Sequence, residues 1–467
     1  MSHYNPICRP PVQRFLHRPA VRLLAFLAGF LGPLLAFAVP AAAQGISLLQ
    51  DTETERLLRV YEDPILKAAG IDPAAVKMYL VNDTSLNAFV AEGQNIFVNA
   101  GAFIELKNPN ELIGVMAHET GHMAGGHLSR GTQAMEKATI PLILSTIVGI
   151  GAMIAGAGEA GMVLMGMGEG LAEAQYFQFS RAQEGTADQM GQKYLRLTHQ
   201  SGLGMVHVFE RMANDEARMV KNPESYATSH PASRDRVELL QREADASPYR
   251  DVPDSPASLH AFNMIKAKVI GYLLPVKEVL ARYPLSDKSA PARYARAMVY
   301  MREPNFKLAI VEIQSLIRDE PNNPYFREAL GQLYVTMSQP TKGIEPYRKA
   351  VSLLPDAPEL RISLAAAMIA TEDRTQETAA VDHLKIALQQ DRGQPYAWYE
   401  LAQAYSDIGN EPLANLATAE LKLQTGDLKM AAIFAIRART ALPQGSADWQ
   451  HANDILAMVQ SYMKQRS

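Results

Sequence analysis

The stretch Ala117-His118-Glu119-Thr120-Gly121-His122 constrains this chain more than any other, because the pattern H-E-x-x-H has chemical meaning only on an α-helix. Residues four apart share one helix face, so both imidazoles can reach a single ion, and Glu119 is aimed beside it. The flanking residues supply the helix: Asn108 is a good N-cap, Pro109 suits the first turn, and Glu111 completes an N-x-x-E capping box. Leu112 to Ala117 is apolar on the helical period, which predicts burial. A buried His-Glu-His face with no ion would be costly. The spacing therefore predicts one Zn²⁺ per chain, with His118 and His122 as ligands and Glu119 as the base that takes a proton from water.

A third protein ligand is required, and two residues compete for it. His127 follows His122 by five positions, and Gly125 fits the pattern H-E-x-x-H-x-x-G-x-x-H, but its last ligand position holds Leu128. Glu184 lies in Arg181-Ala-Gln-Glu184-Gly-Thr-Ala-Asp188, an E-x-x-x-D helical segment, and is the better candidate. Asp188, one turn on, would accept a hydrogen bond from the far nitrogen of a ligand histidine. His127 then reads as a structural or rim residue. For the developing oxyanion, Ser229-His230-Pro231 offers His230 as donor, with Arg236 positioning or assisting. A histidine on a turn-rich loop (Asn222, Pro223, Ser229, Pro231) also suggests that His230 can occupy the open corner of the ion and exclude water.

The segment Ala138 to Gly158 carries no charged side chain. By length it can span a bilayer, yet it sits between two stretches that must converge on one ion. A span would need an even number of crossings. The reading preferred here is a hydrophobic hairpin or loop over 138–170, packed near the site or making peripheral membrane contact through 138–158; a buried helix pair is the alternative.

The rest of the chain divides around this centre. Arg9, Arg14, Arg18 and Arg22 precede the uncharged run Leu23 to Val39, and Ala41-Ala42-Ala43 follows. That order predicts a cleaved signal peptide over 1–43, against the alternative of an uncleaved anchor. The one cysteine, Cys8, lies inside it, so the mature chain would carry no disulfide. Residues 44–256 mix helices with short strands. Leu57 to Ala69 reads as an amphipathic helix and Lys77 to Val81 as a strand. Ala88-Phe89-Val90 and Asn95 to Val98 flank Gly93 as a hairpin. Residues 257–467 read as helix throughout. Tyr300, Tyr334 and Met368 recur at 34-residue spacing, Pro324, Pro358 and Pro395 open helices, and Leu330, Leu364 and Leu401 sit inside them. A 34-residue period of helix pairs is the tetratricopeptide signature; an irregular helical bundle is the alternative. Stacked repeats make a groove suited to peptides or protein surfaces. The net charge of −4 and the lack of a basic block argue against nucleic acid.

H-E-T-G-H, E-x-x-A-D and S-H-P-A-S-R-D-R, in that order, resemble the zinc metallopeptidase family that includes the CAAX prenyl endopeptidase and the heat-shock protease HtpX. Asn87-Ala88-Phe89 with Gly93, Ile96 and Val98 resembles the strand before that family's zinc helix, so the likeness spans about Leu57 to Leu240. It implies a mainly α (α+β), zincin-like domain with a small sheet, zinc held by His118, His122 and Glu184, and Glu119 as catalytic base. Joined to a leader and a C-terminal tetratricopeptide solenoid, it also implies a periplasmic enzyme that works in quality control of outer-membrane protein assembly. The expected function is a zinc endopeptidase that cuts misfolded or stalled envelope proteins, its groove meeting protein substrates and outer-membrane assembly machinery. A chaperone or assembly adaptor with secondary protease activity is the alternative.

Overall fold

The computed structural model describes residues 47–91, 94–127, 181–217, 230 and 233–465. The expected leader and the hydrophobic segment 138–170 lie outside them.

A short strand β1 (Leu48–Leu49) leads into helix α1 (Thr52–Ala68), capped by the side chain of Asp51, which accepts from the Thr54 amide. Strands β2 (Met78–Val81), β3 (Ala88–Ala91) and β4 (Asn95–Asn99) complete a four-stranded sheet of order β1-β2-β4-β3. β2 runs parallel to β4, and the other two pairs are antiparallel. Alternation assigns the faces. Met78, Leu80, Ala88, Val90, Ile96 and Val98 point into one core with Leu57, Leu58, Ile65 and Leu66 of α1. On the opposite face Tyr79, Phe97 and Phe89 form a stacked ladder at 5.1 and 5.0 Å between centroids.

After α2 (Ala100–Glu105) comes α3 (Pro109–Ala124), the helix that carries H-E-x-x-H. Its start follows the sequence: the Asn108 side chain accepts from the Glu111 amide at 2.9 Å, while Glu111 accepts from the Lys107 amide at 2.8 Å and takes a two-pronged contact from Arg211, both prongs at 2.7 Å. Almost all of α3 is buried, between α1 and the sheet on one side and α4 (181–197) and α5 (Leu203–Ala217) on the other. Helix α6 (Arg234–Asp245) packs on α5.

Helix α7 (Pro256–Leu273) serves two cores at once. Phe262, Ile265 and Val269 pack into the core around α1 and α3. Met264, Ala267 and Ile270 pack against α9 (Ala290–Arg302) and its neighbours. After α8 (Val276–Arg282) and α9, the chain runs on through α10 (Phe306–Asp319), α11 (Pro324–Thr336), α12 (Pro340–Leu353), α13 (Pro358–Ile369), α14 (Arg374–Gln390), α15 (Pro395–Asp407), α16 (Glu411–Gln424), α17 (Leu428–Ala441) and α18 (Ala447–Gln465). Each helix packs on the next, and α9, α11 and α13 begin 34 residues apart. Paired helices at that period make a tetratricopeptide-type solenoid, with Leu330, Leu364 and Leu401 buried between layers.

An ionic knot locks the solenoid to the sheet domain. Lys268 of α7, 1% exposed, donates to Asp51 and, at 3.1 Å, to Glu53. The Tyr294 hydroxyl of α9 donates to Glu53 at 2.8 Å. Removing one partner leaves charges stranded in a dry site. Lys268→Ala should therefore destabilise the protein by about 3–5 kcal/mol, read as a lower denaturation midpoint; a shift under about 1 kcal/mol would show that water reaches the knot.

Candidate metal centre

Glycine at the helix crossing brings the two halves of the site together. A Cβ on Gly121 of α3 would stand 2.6 Å from the backbone oxygen of Ala187 in α4, so the two helices touch backbone to backbone there. Gly191 makes a similar close approach to Ala117. That contact sets Glu184 and Asp188 of α4 beside the histidines of α3.

His118, His122, Glu184 and His230 each turn one donor atom toward a common point, all within 4.8 Å of one another. His118 Nε2 lies 3.0 Å from His122 Nε2 and 3.3 Å from His230 Nδ1. Glu184 carboxylate oxygens lie 3.4 Å from His118 Nε2, 3.3 Å from His122 Nε2 and 3.1 Å from His230 Nδ1. Ligands at zinc distances on a tetrahedron stand about 3.3 Å apart. The donor set thus has the size, as well as the chemistry, that a divalent ion requires. Three imidazoles and a carboxylate suit zinc among such ions.

Around these four sits a supporting shell. His118 is fully buried, and its Nδ1 stands 3.0 Å from Asp188 Oδ1, where a ring proton can be donated. Arg236 grips Asp188 with Nε at 2.8 Å and Nη2 at 2.9 Å, and Nη2 also reaches Glu184 at 3.0 Å. The guanidinium lies over the Phe209 ring, 5.0 Å from its centroid, and the same ring meets His118 edge-on at 5.0 Å. Thr120 donates to the buried Glu62 of α1, which pins the back of α3. Glu119, 1% exposed, faces His230 Nε2 at 3.5 Å. His127 is also buried, its Nδ1 2.9 Å from His122 Nδ1.

Charge follows from this geometry. Burial alone would raise the Glu184 carboxyl, but hydrogen bonds from His118, His122 and His230 outweigh it and hold it far below the usual carboxylate range. Asp188 is likewise lowered, because His118 and Arg236 overcome its desolvation. Burial would depress His118, yet Asp188 and Glu184 overcome it and raise the ring to about 9. Burial keeps His122 below its ordinary value. Both carboxylates are thus anions at neutral pH.

All the residues singled out from the sequence, His118, Glu119, His122, Glu184, Asp188, His230 and Arg236, stand in this one cluster. Arg236 meets the two carboxylates, and His230 stands among the ion-facing donors. Phe209 had no sequence signal, since an aromatic on an amphipathic helix reads as core. The neighbours Ser229 and Pro231 lie outside the described residues.

Residues 51–244 match the family model described as Peptidase family M48, and the cluster of His118, His122, Glu184 and His230 lies within them. The chain is 24% identical over 380 residues to a protein named beta-barrel assembly-enhancing protease from Yersinia pestis, covering 79% of this chain and 76% of that protein. The protein of the same name from Escherichia coli (strain K12) is also 24% identical, over 79% of this chain and 75% of its own length. Metalloprotease LoiP of Escherichia coli (strain K12) is 30% identical over 172 residues, 36% of this chain and 62% of that protein.

Gly121→Ala should force α4 away from α3 and separate Glu184 from the histidines. A displacement near 1 Å lowers peptide cleavage about a hundredfold. Gly185→Ala is the control, because nothing lies within 4 Å of a Cβ there. Equal activity in the two variants would show that the crossing does not set the site.

Proposed function

We propose that the chain is a periplasmic zinc endopeptidase that cuts misfolded or stalled envelope proteins and supports outer-membrane protein assembly through its repeat groove. The observation that carries this reading is the tetrahedron-sized cluster of His118, His122, Glu184 and His230 beside Glu119. The names of the relatives from Yersinia pestis and Escherichia coli support the link to barrel assembly. Among the described residues no helix is long and apolar enough to cross a membrane.

In this reading His118, His122 and Glu184 hold the ion, and Asp188 orients His118. Arg236 steadies both carboxylates. A bound zinc ion supplies a Lewis acid that brings the pKa of a water toward neutrality. Glu119 takes the proton of the attacking water and returns one to the leaving amine. His230 would act from two positions. Where it stands, its Nδ1 lies 3.3 Å from His118 Nε2 and 3.1 Å from Glu184, so it would compete with a water for the ion. Displaced, it can donate to the oxyanion. The chain would then be self-restrained until a substrate or partner displaces the His230 ring.

Glu119→Gln should retain the ion and lose about 10²–10⁴-fold in cleavage of an unfolded protein such as casein. Full complementation of a deletion strain by that variant would favour the adaptor reading instead. His230→Ala should raise basal cleavage if restraint dominates. A loss with no rise under any condition would leave His230 only its oxyanion role.

A further inference from the structure

His122 presents two nitrogens to two different partners. Its Nε2 faces His118 and Glu184, at 3.0 and 3.3 Å, where the proposed ion would lie. Its Nδ1 lies 2.9 Å from Nδ1 of His127. The rings meet edge to face, with centroids 4.9 Å apart and planes at 78°. An imidazole that offers Nε2 to a cation is neutral and carries its proton on Nδ1. The facing His127 nitrogen must then accept that proton's hydrogen bond, which fixes His127 as the neutral tautomer protonated on Nε2.

The local chain is built to hold this pair. The Gly125 amide donates to the Gly121 carbonyl at 2.9 Å, and the Gly126 amide to the Met123 carbonyl at 3.0 Å. Gly126, at φ +63°, turns the chain back along the end of α3. The His127 ring lies on Gly125, where a Cβ would stand 2.4 Å from Nε2. From the other side Gln183 of α4 donates to the His127 carbonyl at 3.2 Å. The helix end thus seats the buried ring, and α4 holds the backbone of the same residue.

We infer that His127 is a positioning residue: it locks the tautomer and ring angle of His122 so that Nε2 is offered to the ion, as Asp188 does for His118. The inference rests on the ion reading above. The difference between the two props is charge. Asp188 is an anion balanced by Arg236, whereas His127 orients its ligand without burying a further carboxylate.

The test is cobalt and zinc affinity of the full mature chain, measured by chelator competition, with the cobalt absorption spectrum as a second readout. His127→Phe keeps a ring and removes the acceptor. Gly125→Ala displaces the ring and leaves every ligand intact, and at φ −70° it adds no backbone strain. His127→Asn returns an acceptor oxygen near the Nδ1 position. Loss of such an outer partner costs about 10–100-fold in affinity; that loss is expected for His127→Phe and Gly125→Ala, with an altered cobalt spectrum, and substantial recovery in His127→Asn. Unchanged affinity in both His127→Phe and Gly125→Ala would overturn the inference, and so would a loss in His127→Asn as large as in His127→Phe. If His127→Phe does not fold, Gly125→Ala alone decides. A parent chain that binds neither metal would instead refute the ion reading itself.

Discussion

Two stretches far apart in the sequence must meet within one ion's reach, and the close crossing of α3 and α4 at Gly121 is what lets them. A helix pair normally stands 8–10 Å apart, axis to axis, held off by side chains. With no side chain on Gly121 at the crossing, the carboxylates of Glu184 and Asp188 arrive at the two ring nitrogens of His118. The rest of the site follows from that contact. Arg236 balances the added negative charge, and Phe209 closes the space beside the guanidinium and the imidazole. Every element that supports α3, from Glu62 behind Thr120 to the sheet beneath, serves to keep that helix in place.

Much of this was legible in the chain alone, for identifiable reasons. The α3 helix is announced by its cap, and the observed contacts of Asn108 and Glu111 follow the pattern, with one shift: Glu111 reaches the Lys107 amide, one residue before the cap. The histidine pair follows from helical spacing. Strands β2, β3 and β4 stand where the apolar alternation put them. Helix α1 begins earlier than Leu57, because Asp51 supplies a cap that the apolar pattern does not record.

Other features were not legible because they depend on tertiary contact. Nothing in Phe209 separates a residue that braces a ligand from any other core aromatic. The pairing of Arg236 with Asp188 and Glu184 joins segments with no common periodicity. His127 reads as a structural or rim residue because its register fails for direct ligation; the turn at Gly125 and Gly126 brings its ring behind His122. The double duty of α7 was hidden too. Its apolar residues surround the helix rather than forming one stripe, which signals burial without saying against what.

That double duty bears on how such a protein could have arisen and how it can be taken apart. Phe262, Ile265 and Val269 complete the interior beneath α1 and α3, while the opposite flank of the same helix seeds the first superhelical layer. A recombination joint placed ahead of Pro256 would give the hydrolytic half an open wound in its interior and the stack an uncapped end. Exchange of the repeat portion for another, by nature or by an engineer, has to carry α7 along or supply a helix with two matching sides.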